Sequence, residues 1–316
     1  MIIIKLMGGL GNQLQQYSLY RRLVDANIDA KIDISWFEES RQKHMNAPRK
    51  IEIDYIDGVN YEIASKKEVS DLTGGDGIAG KIKRKLFSNL THIYDEAGRM
   101  YLSELIDGIF VQKNIKDMYL EGYFACEYYH EKVLPLLQNE LKFQVEKLPY
   151  KDEMDKITDD MKKANSVSVH LRRGDYLDEV NQKMFGGICT DEYYFSAISS
   201  VINSISDPKF YFFSDDIEFA KRFNHDLTQK FPGILVEIVD KNHGENNYFD
   251  IYLMSQCRHN ITANSTFSFW GARLNPNVDK LMIRPTIHRN DQVFDEKQMK
   301  IWWKGWKFVS PEGNVY

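Results

Sequence analysis

The chain has 316 residues, 43 % hydrophobic and 28 % charged, with a formal net charge of −5. That length implies two domains or one large one, and the acidic balance excludes a general nucleic-acid binder. No apolar run approaches the roughly 18–20 residues that cross a bilayer, and the N-terminus lacks the basic and long apolar regions of a signal peptide.

Residues 1–7 read as a first strand and lead into "MGGLGNQLQQY", with glycines at positions 8, 9 and 11. The spacing is G-G-x-G, not the G-x-G-x-x-G of a dinucleotide site, and no Gly-Lys-Ser/Thr of a P-loop follows. Such a loop requires a tight turn or a close backbone approach. Asn12 can cap a helix over 12–26, and Gln13 offers a donor and an acceptor. The plain alternative is a strand-to-helix turn with a cap. A strand over 30–35 follows, then an irregular region. Residues 65–90 hold a glycine-rich turn and the basic segment "KIKRK" (81–85), which reads as a solvated helix face or as a contact with an anionic membrane surface. "GIFVQ" (108–112) and "MYLEGYF" (118–124) are strand-like, and a helix is expected over 127–141. The polar helical stretch 149–166 marks a boundary between domains 1–150 and 151–316.

Beyond it the pattern is regular. Strands at 166–171, 209–214, 234–239, 260–263 and 280–284 alternate with helices at 191–205, 216–224, 247–256 and 266–274. That alternation indicates a parallel α/β sheet. The Trp-rich tail 301–309 is expected to pack back on this domain. Cys126, Cys189 and Cys257 are odd in number and far apart, which suggests neither a disulfide framework nor a zinc knuckle and fits a reducing cytoplasm. The 18 Tyr and 18 Phe raise sugar or base stacking, although most rings are expected in the core.

Ligands of open α/β sheets sit beyond the carboxyl ends of the strands. After the strand at 166–171 come His170, Arg172, Arg173, Gly174, Asp175 and Tyr176. Two guanidiniums at a strand end suit phosphate oxygens, and a salt-bridged strand end is the bland reading. Asp175 can orient an arginine, cap the turn or act as a base. Ser214, Asp215 and Asp216 are read as a helix cap. Asn264, Ser265, Thr266, Phe267 and Ser268 stand at a strand-to-helix junction, where exposed helix N–H groups attract anions. Capping alone needs only one of those hydroxyls. Asp250, in an otherwise apolar helix, can pair with the two adjacent donors of guanine or simply be a surface carboxylate. The chain contains no Asp-x-Asp of the kind that carries a metal-bound nucleotide diphosphate.

In order, "GGLGNQ", "HLRRGDY", "FFSDD" and "NSTFSFWGARL" resemble the glycosyltransferase family 11 α-1,2-fucosyltransferases over most of the chain. The resemblance implies a GT-B architecture, two Rossmann-like α/β domains facing across a cleft. The C-terminal domain would hold GDP-fucose and the N-terminal domain mainly the acceptor. It implies inverting transfer without a metal or other cofactor. Arg172 would grip the diphosphate, with Arg173 and His170 in support. Asp250 would read guanine, and Ser265 to Ser268 would wrap the diphosphate, with Asn264 beside them among the donor-binding residues. Gly11, Asn12 and Gln13 would face the donor sugar and acceptor. Asp175 is the candidate base. The chain departs from the family at Gln15, where an aromatic is usual. Lining the cleft, Gln15 would alter acceptor preference; facing the core, it has no explanation.

The implied biology is a bacterial, cytoplasmic enzyme fucosylating O2 of a galactose-terminated oligosaccharide or lipid-linked glycan for O-antigen or another surface polysaccharide. It would have no nucleic-acid partner, and residues 80–85 would touch the inner membrane. A transferase of the same fold using another nucleotide sugar and a non-catalytic glycan-binding protein are the rival readings.

Overall fold

The computed structural model describes residues 1–43, 45, 48–75, 93–96, 108–110, 116–173, 179–291 and 296–316. The chain forms two compact units, Met1–Lys142 and Phe143–Tyr316, each an α/β layer structure around a parallel sheet.

The first unit begins with β1 (Ile2–Lys5) and α1 (Leu10–Asp25), followed by β2 (Ala30–Asp33). After α2 (Lys66–Thr73) come β3 (Ile93–Asp95), β4 (Met118–Glu121) and α3 (Leu134–Glu140). The strand order is β2-β1-β4-β3, with every pair parallel. Ile2, Ile3 and Ile4 are all fully buried, as expected of a continuous β-branched run covered on both faces.

Three local expectations are corrected here. Helix α1 starts at Leu10, because Gly9 takes the N-cap position in an extended conformation. The described part of "GIFVQ", residues 108–110, is helical and not a strand. The helix expected over 127–141 is broken into Glu127–His130 and α3. Pro135 lies in the first turn of α3, where no N–H is needed; within a continuous helix its ring would clash with the carbonyl of Glu131. Helix α2 was legible but unread. Ser65 and Glu68 form a reciprocal capping box, and Gly74 ends the helix in the left-handed region at φ +79°. The segment 81–85 lies outside the described residues.

Among the described glycines of this unit, Gly58 makes the tightest backbone approach. Its φ is +85°, and an added Cβ would lie 2.0 Å from the Glu140 carbonyl oxygen. Gly58→Ala is therefore expected to destabilise the protein by about 2–5 kcal/mol, the left-handed strain added to the steric cost. Chemical denaturation would measure it, and a change under 1 kcal/mol would refute the close approach.

The second unit runs α4 (Lys151–Lys163), β5 (Asn165–Leu171), α5 (Asp191–Ile202), β6 (Pro208–Ser214), α6 (Ile217–Lys230) and β7 (Leu235–Val239). It continues through α7 (Phe249–Gln256), β8 (His259–Ile261), α8 (Thr266–Leu274), β9 (Met282–Pro285) and β10 (Trp306–Val309). The strand order is β10-β9-β8-β5-β6-β7, again all parallel. The Trp-rich tail does more than pack back: it supplies the edge strand β10, with Trp306 in register with Met282. Val167, Val169, Phe210 and Phe212 from the sheet meet Tyr193, Tyr194 and Phe223 from the helices to form the core. The aromatic richness is used largely here. Among the described residues no helix is long and apolar enough to cross a membrane.

Candidate functional site

β5 lies between β8 and β6, so its carboxyl end is flanked by two other strand ends. Arg172 Nη1 lies 2.8 Å from Asp215 Oδ2. The other oxygen of Asp215 accepts the Arg173 backbone N–H at 3.0 Å. One carboxylate thus fixes both the Arg172 guanidinium and the turn that carries it. Ser214 ties the two strand ends together, its hydroxyl donating to the Leu171 carbonyl at 2.7 Å. Asp216 is the true cap of α6, accepting the Phe219 N–H at 2.9 Å. The cap reading of "SDD" therefore holds for Asp216, while Asp215 orients Arg172. The signal was available: a helix start needs one acid, and the sequence carries two.

Arg173 lies with its guanidinium 4.5 Å from the Phe219 ring centre, and Arg222 lies 4.8 Å from the same ring. Arg222 belongs to no motif, and only the α6 geometry brings it near the site. Its cation adds to a local positive field that favours an anionic ligand.

His170 is buried, with its ring 5.8 Å from that of Phe267. Burial, and then the charge of Arg172, pushes its pKa down to about 4. It is neutral at physiological pH. Its Nδ1 has no hydrogen-bond partner within the protein. The neutral ring contributes its full stability above about pH 6.5, and loses it as pH falls towards 4. His288, pushed down to about 3, acts in the same sense, whereas Asp250 and Glu96, pushed up to about 7, slope the other way. The informative quantity is therefore a difference. His170→Gln is expected to flatten the acid-side loss of unfolding free energy relative to wild type, and identical slopes would refute the buried neutral ring.

At the start of α8, Ser265 holds the N-cap position, and its side chain makes no capping hydrogen bond. Thr266 is partly exposed beside it. The other polar residues of the cluster are committed. The Ser268 hydroxyl donates to the Ser265 carbonyl at 3.1 Å. The Asn264 amide donates to the Phe185 and His288 carbonyls, both at 3.3 Å, and its oxygen accepts the Cys189 thiol at 3.4 Å. Asn264 holds the surrounding loops, and Ser265, Thr266 and the backbone N–H groups make the anion-attracting end.

Helices α7 and α8 flank β8 and run parallel, each starting at the carboxyl edge of the sheet. Gly271 locks their register: a Cβ there would lie 2.6 Å from Met254 Cβ. Both residues are the sixth of their helix, so Asp250 lies level with Phe267. Asp250 reaches solvent through part of its surface, yet packing on its other sides pushes its carboxyl up to about 7, with Asp240 adding to the rise. Asn242 donates to Asp250 Oδ1 at 2.7 Å, and Tyr150 donates to Asn242 Oδ1 at 3.1 Å. That chain orients the carboxyl, which carries a second oxygen for a ligand with paired donors.

The glycine loop of the first unit is built differently. The Leu10 N–H, first in α1, donates to Glu52 Oε2 at 2.9 Å. The protein's own carboxylate occupies that helix end, so it is no phosphate cradle. Gln13 donates to the Gly8 and Lys50 carbonyls, both at 2.8 Å, and its oxygen accepts the N–H groups of Glu52 and Ile53 at 2.7 and 3.1 Å. All four of its hydrogen-bonding positions are filled within the protein. Gly11 is buried, and Asn12 sits partly exposed in the first turn of α1, not at the cap. Gln15 is fully buried with neither amide atom hydrogen-bonded, so it faces the core, and nothing in the structure explains it. Asp175, with Gly174 and Tyr176, lies outside the described residues. Among the described residues, no three His, Cys, Asp or Glu side chains converge as metal ligands.

Residues 81–310 match the sequence profile of Glycosyl transferase family 11. An alpha-1,2-colitosyltransferase of Escherichia coli is 28 % identical over 288 residues, covering 90 % of this chain and 91 % of its own. The O-antigen biosynthesis glycosyltransferase WbnK of Escherichia coli is 26 % identical over 309 residues, covering 89 % and 92 %. Among solved structures, the E. coli heptosyltransferase WaaC with ADP aligns at 11 % identity and TM-score 0.35, covering 90 % of this chain and 86 % of that one.

Proposed function

The chain belongs to glycosyl transferase family 11, and from that premise we propose that it is an inverting α-1,2-fucosyltransferase. It moves fucose from GDP-β-L-fucose to O2 of a galactose-containing acceptor, in the synthesis of O-antigen or another surface polysaccharide. The observation that carries the reading is the carboxyl edge of the second sheet. There an oriented arginine, an uncapped helix start and a carboxyl at the neighbouring helix start stand together. Those are the chemistries of a diphosphate and of guanine.

The mechanism follows from charge. As the bond from fucose C1 to the phosphate oxygen breaks, the sugar gains positive and the diphosphate negative charge. Arg172, with Ser265, Thr266 and the first N–H groups of α8, stabilises the departing diphosphate, so no metal is needed. Asp250 accepts from N1–H and the 2-amino group of guanine. The acceptor belongs to the N-terminal unit, and residues 81–85 let a cytoplasmic enzyme rest on the anionic membrane surface that carries lipid-linked acceptors.

Accepting from guanine requires an ionised Asp250. GDP-fucose affinity is therefore expected to weaken as pH falls below about 7, by up to about tenfold per pH unit. The donor's diphosphate has no proton to gain in that range. Calorimetry from pH 5.5 to 8 measures it, and Asp250→Asn should remove the dependence; a wild-type profile as flat as the mutant's would refute the guanine assignment.

A second reading rests on the colitosyltransferase relative, which suggests GDP-colitose as donor. The two donors differ at C3, where colitose lacks the hydroxyl. Transfer to lactose from GDP-fucose, GDP-colitose and UDP-galactose, each in EDTA, tests both. Product from GDP-fucose in EDTA supports the proposal, product from GDP-colitose alone favours the second reading, and turnover only with UDP-galactose refutes both.

A further inference from the structure

The loop 240–247 leads from β7 towards Asp250 in the first turn of α7. The segment that opens α4 holds this region at three places. Phe143 stacks on Tyr248 at the start of α7, ring centres 6.2 Å apart. Glu153 pairs with Lys241. The Tyr150 hydroxyl donates to Asn242 Oδ1 at 3.1 Å. Asn242 is 7 % exposed, and its amide nitrogen donates to Asp250 Oδ1 at 2.7 Å. With both ends of its amide committed, Asn242 acts through Asp250. The relay runs in one direction, hydroxyl to carbonyl and then amide to carboxyl. Asp250 Oδ2 accepts no hydrogen bond among the described residues, and it is not sealed in the fold. Asp250 is partly exposed, so a ligand reaches that oxygen from solvent.

We propose that Asn242 and Tyr150 are positioning residues of the nucleobase site, holding Asp250 so that it offers acceptors, and no donor, to the base. This rests on the guanine reading above and names what gives that site its preference. An ionised carboxylate only accepts, which suits a base edge with two adjacent donors, as guanine has at N1 and its 2-amino group. Hypoxanthine keeps the N1–H and lacks the amino group. Adenine presents an acceptor at N1, which the carboxylate repels. A protonated Asp250 would carry a donor and lose that discrimination. Burial pushes the carboxyl up to about 7, and the charge of Asp240 adds to the rise. The Asn242 hydrogen bond pulls the other way, because it favours the charged form. The other charged side chains of the loop face each other or α4: Asp240 pairs with His243 at 3.0 Å, and Lys241 with Glu153.

The test is calorimetry of GDP, IDP and ADP across the neutral pH range for wild type, Asn242→Leu and Tyr150→Phe, with thermal unfolding of each. Both substitutions nearly keep side-chain volume and remove a link of the relay. Wild type is expected to bind GDP about tenfold more tightly than IDP, the loss of one hydrogen bond to a charged group, and ADP more weakly still. Asn242→Leu should weaken GDP about tenfold at neutral pH and bring its affinity close to that of IDP. It should also move the acid-side loss of GDP affinity to higher pH, because the bond that lowers the Asp250 carboxyl is gone. Tyr150→Phe should shift both readouts in the same sense by about threefold, and it carries the test if Asn242→Leu unfolds. Folded variants that weaken all three nucleotides equally, with the wild-type pH profile, overturn the proposal, since that is what a merely structural loop would give. A wild type that prefers GDP and is unaffected by either substitution overturns the relay alone. A wild type that binds IDP or ADP as tightly as GDP overturns the guanine assignment and the relay with it.

Discussion

Arg172→Ala is expected to lower kcat/KM for sugar transfer by about 10²–10³-fold, the cost of removing one preorganised donor from a developing anion. GDP affinity should fall as well, because the same guanidinium meets the ground-state diphosphate. Arg172→Lys should recover only part of the loss. A lysine restores the charge but not the planar fork that Asp215 holds at 2.8 Å. Asp215→Asn should mimic a milder Arg172 defect, since it leaves the arginine in place and removes what orients it. Steady-state transfer in EDTA and calorimetry of GDP measure these effects. An Arg172→Ala enzyme within threefold of wild type in both would refute the diphosphate assignment.

The second large effect is expected at Gly271, which touches no ligand in this scheme. Alanine there gains helix propensity of about 1 kcal/mol. Against that stands a Cβ placed 2.6 Å from Met254 Cβ, an atom fixed to the neighbouring helix backbone. Overpacking of this kind costs about 1–3 kcal/mol, so the clash outweighs the gain and α7 and α8 must move apart. Gly271→Ala should therefore be less stable and bind GDP-fucose more than tenfold more weakly, through the displacement of Asp250 from the start of α8. Met254→Gly in the same chain should restore much of the binding, by removing the opposing Cβ. Equal affinity in wild type and Gly271→Ala would show that helix register does not set the site.

Much of the second unit was readable without coordinates. Apolar strands of four to six residues alternating with helices permit little besides a parallel sheet, and the polar residues at the strand ends then fall on one edge. Three of the four family motifs, "HLRRGDY", "FFSDD" and "NSTFSFWGARL", fall at those ends. The first unit was read less well, because its cues are local exceptions. Pro135 divides a helix whose hydrophobic pattern runs on unbroken. The first N–H of α1, on Leu10, is met by Glu52, 42 residues away, and no short window of sequence contains both. "GIFVQ" has strand composition but a helical backbone at 108–110, which shows how weakly a short apolar run separates the two states.

The sequence by itself determined the α/β class, five of the six strands of the second sheet with the helices between them, and the chemical kinds of residue that end those strands. These depend on periodicity and on side chains adjacent in the chain. Only the tertiary structure decided which polar groups have hydrogen-bonding capacity left over. Gln13 and Asn264 look like ligand contacts in a motif, yet spend their side chains on the distant carbonyls of Lys50 and Phe185, and Ser268 turns its hydroxyl back to the Ser265 carbonyl. Asp215 looks like a spare cap and holds Arg172. Asn242 stands in no motif, and it links Tyr150 to Asp250 only because the start of α4 is brought against the loop that precedes α7. The physical reason is that a polar group's role is set by what remains after folding has taken its partners, and most of those partners are far away along the chain.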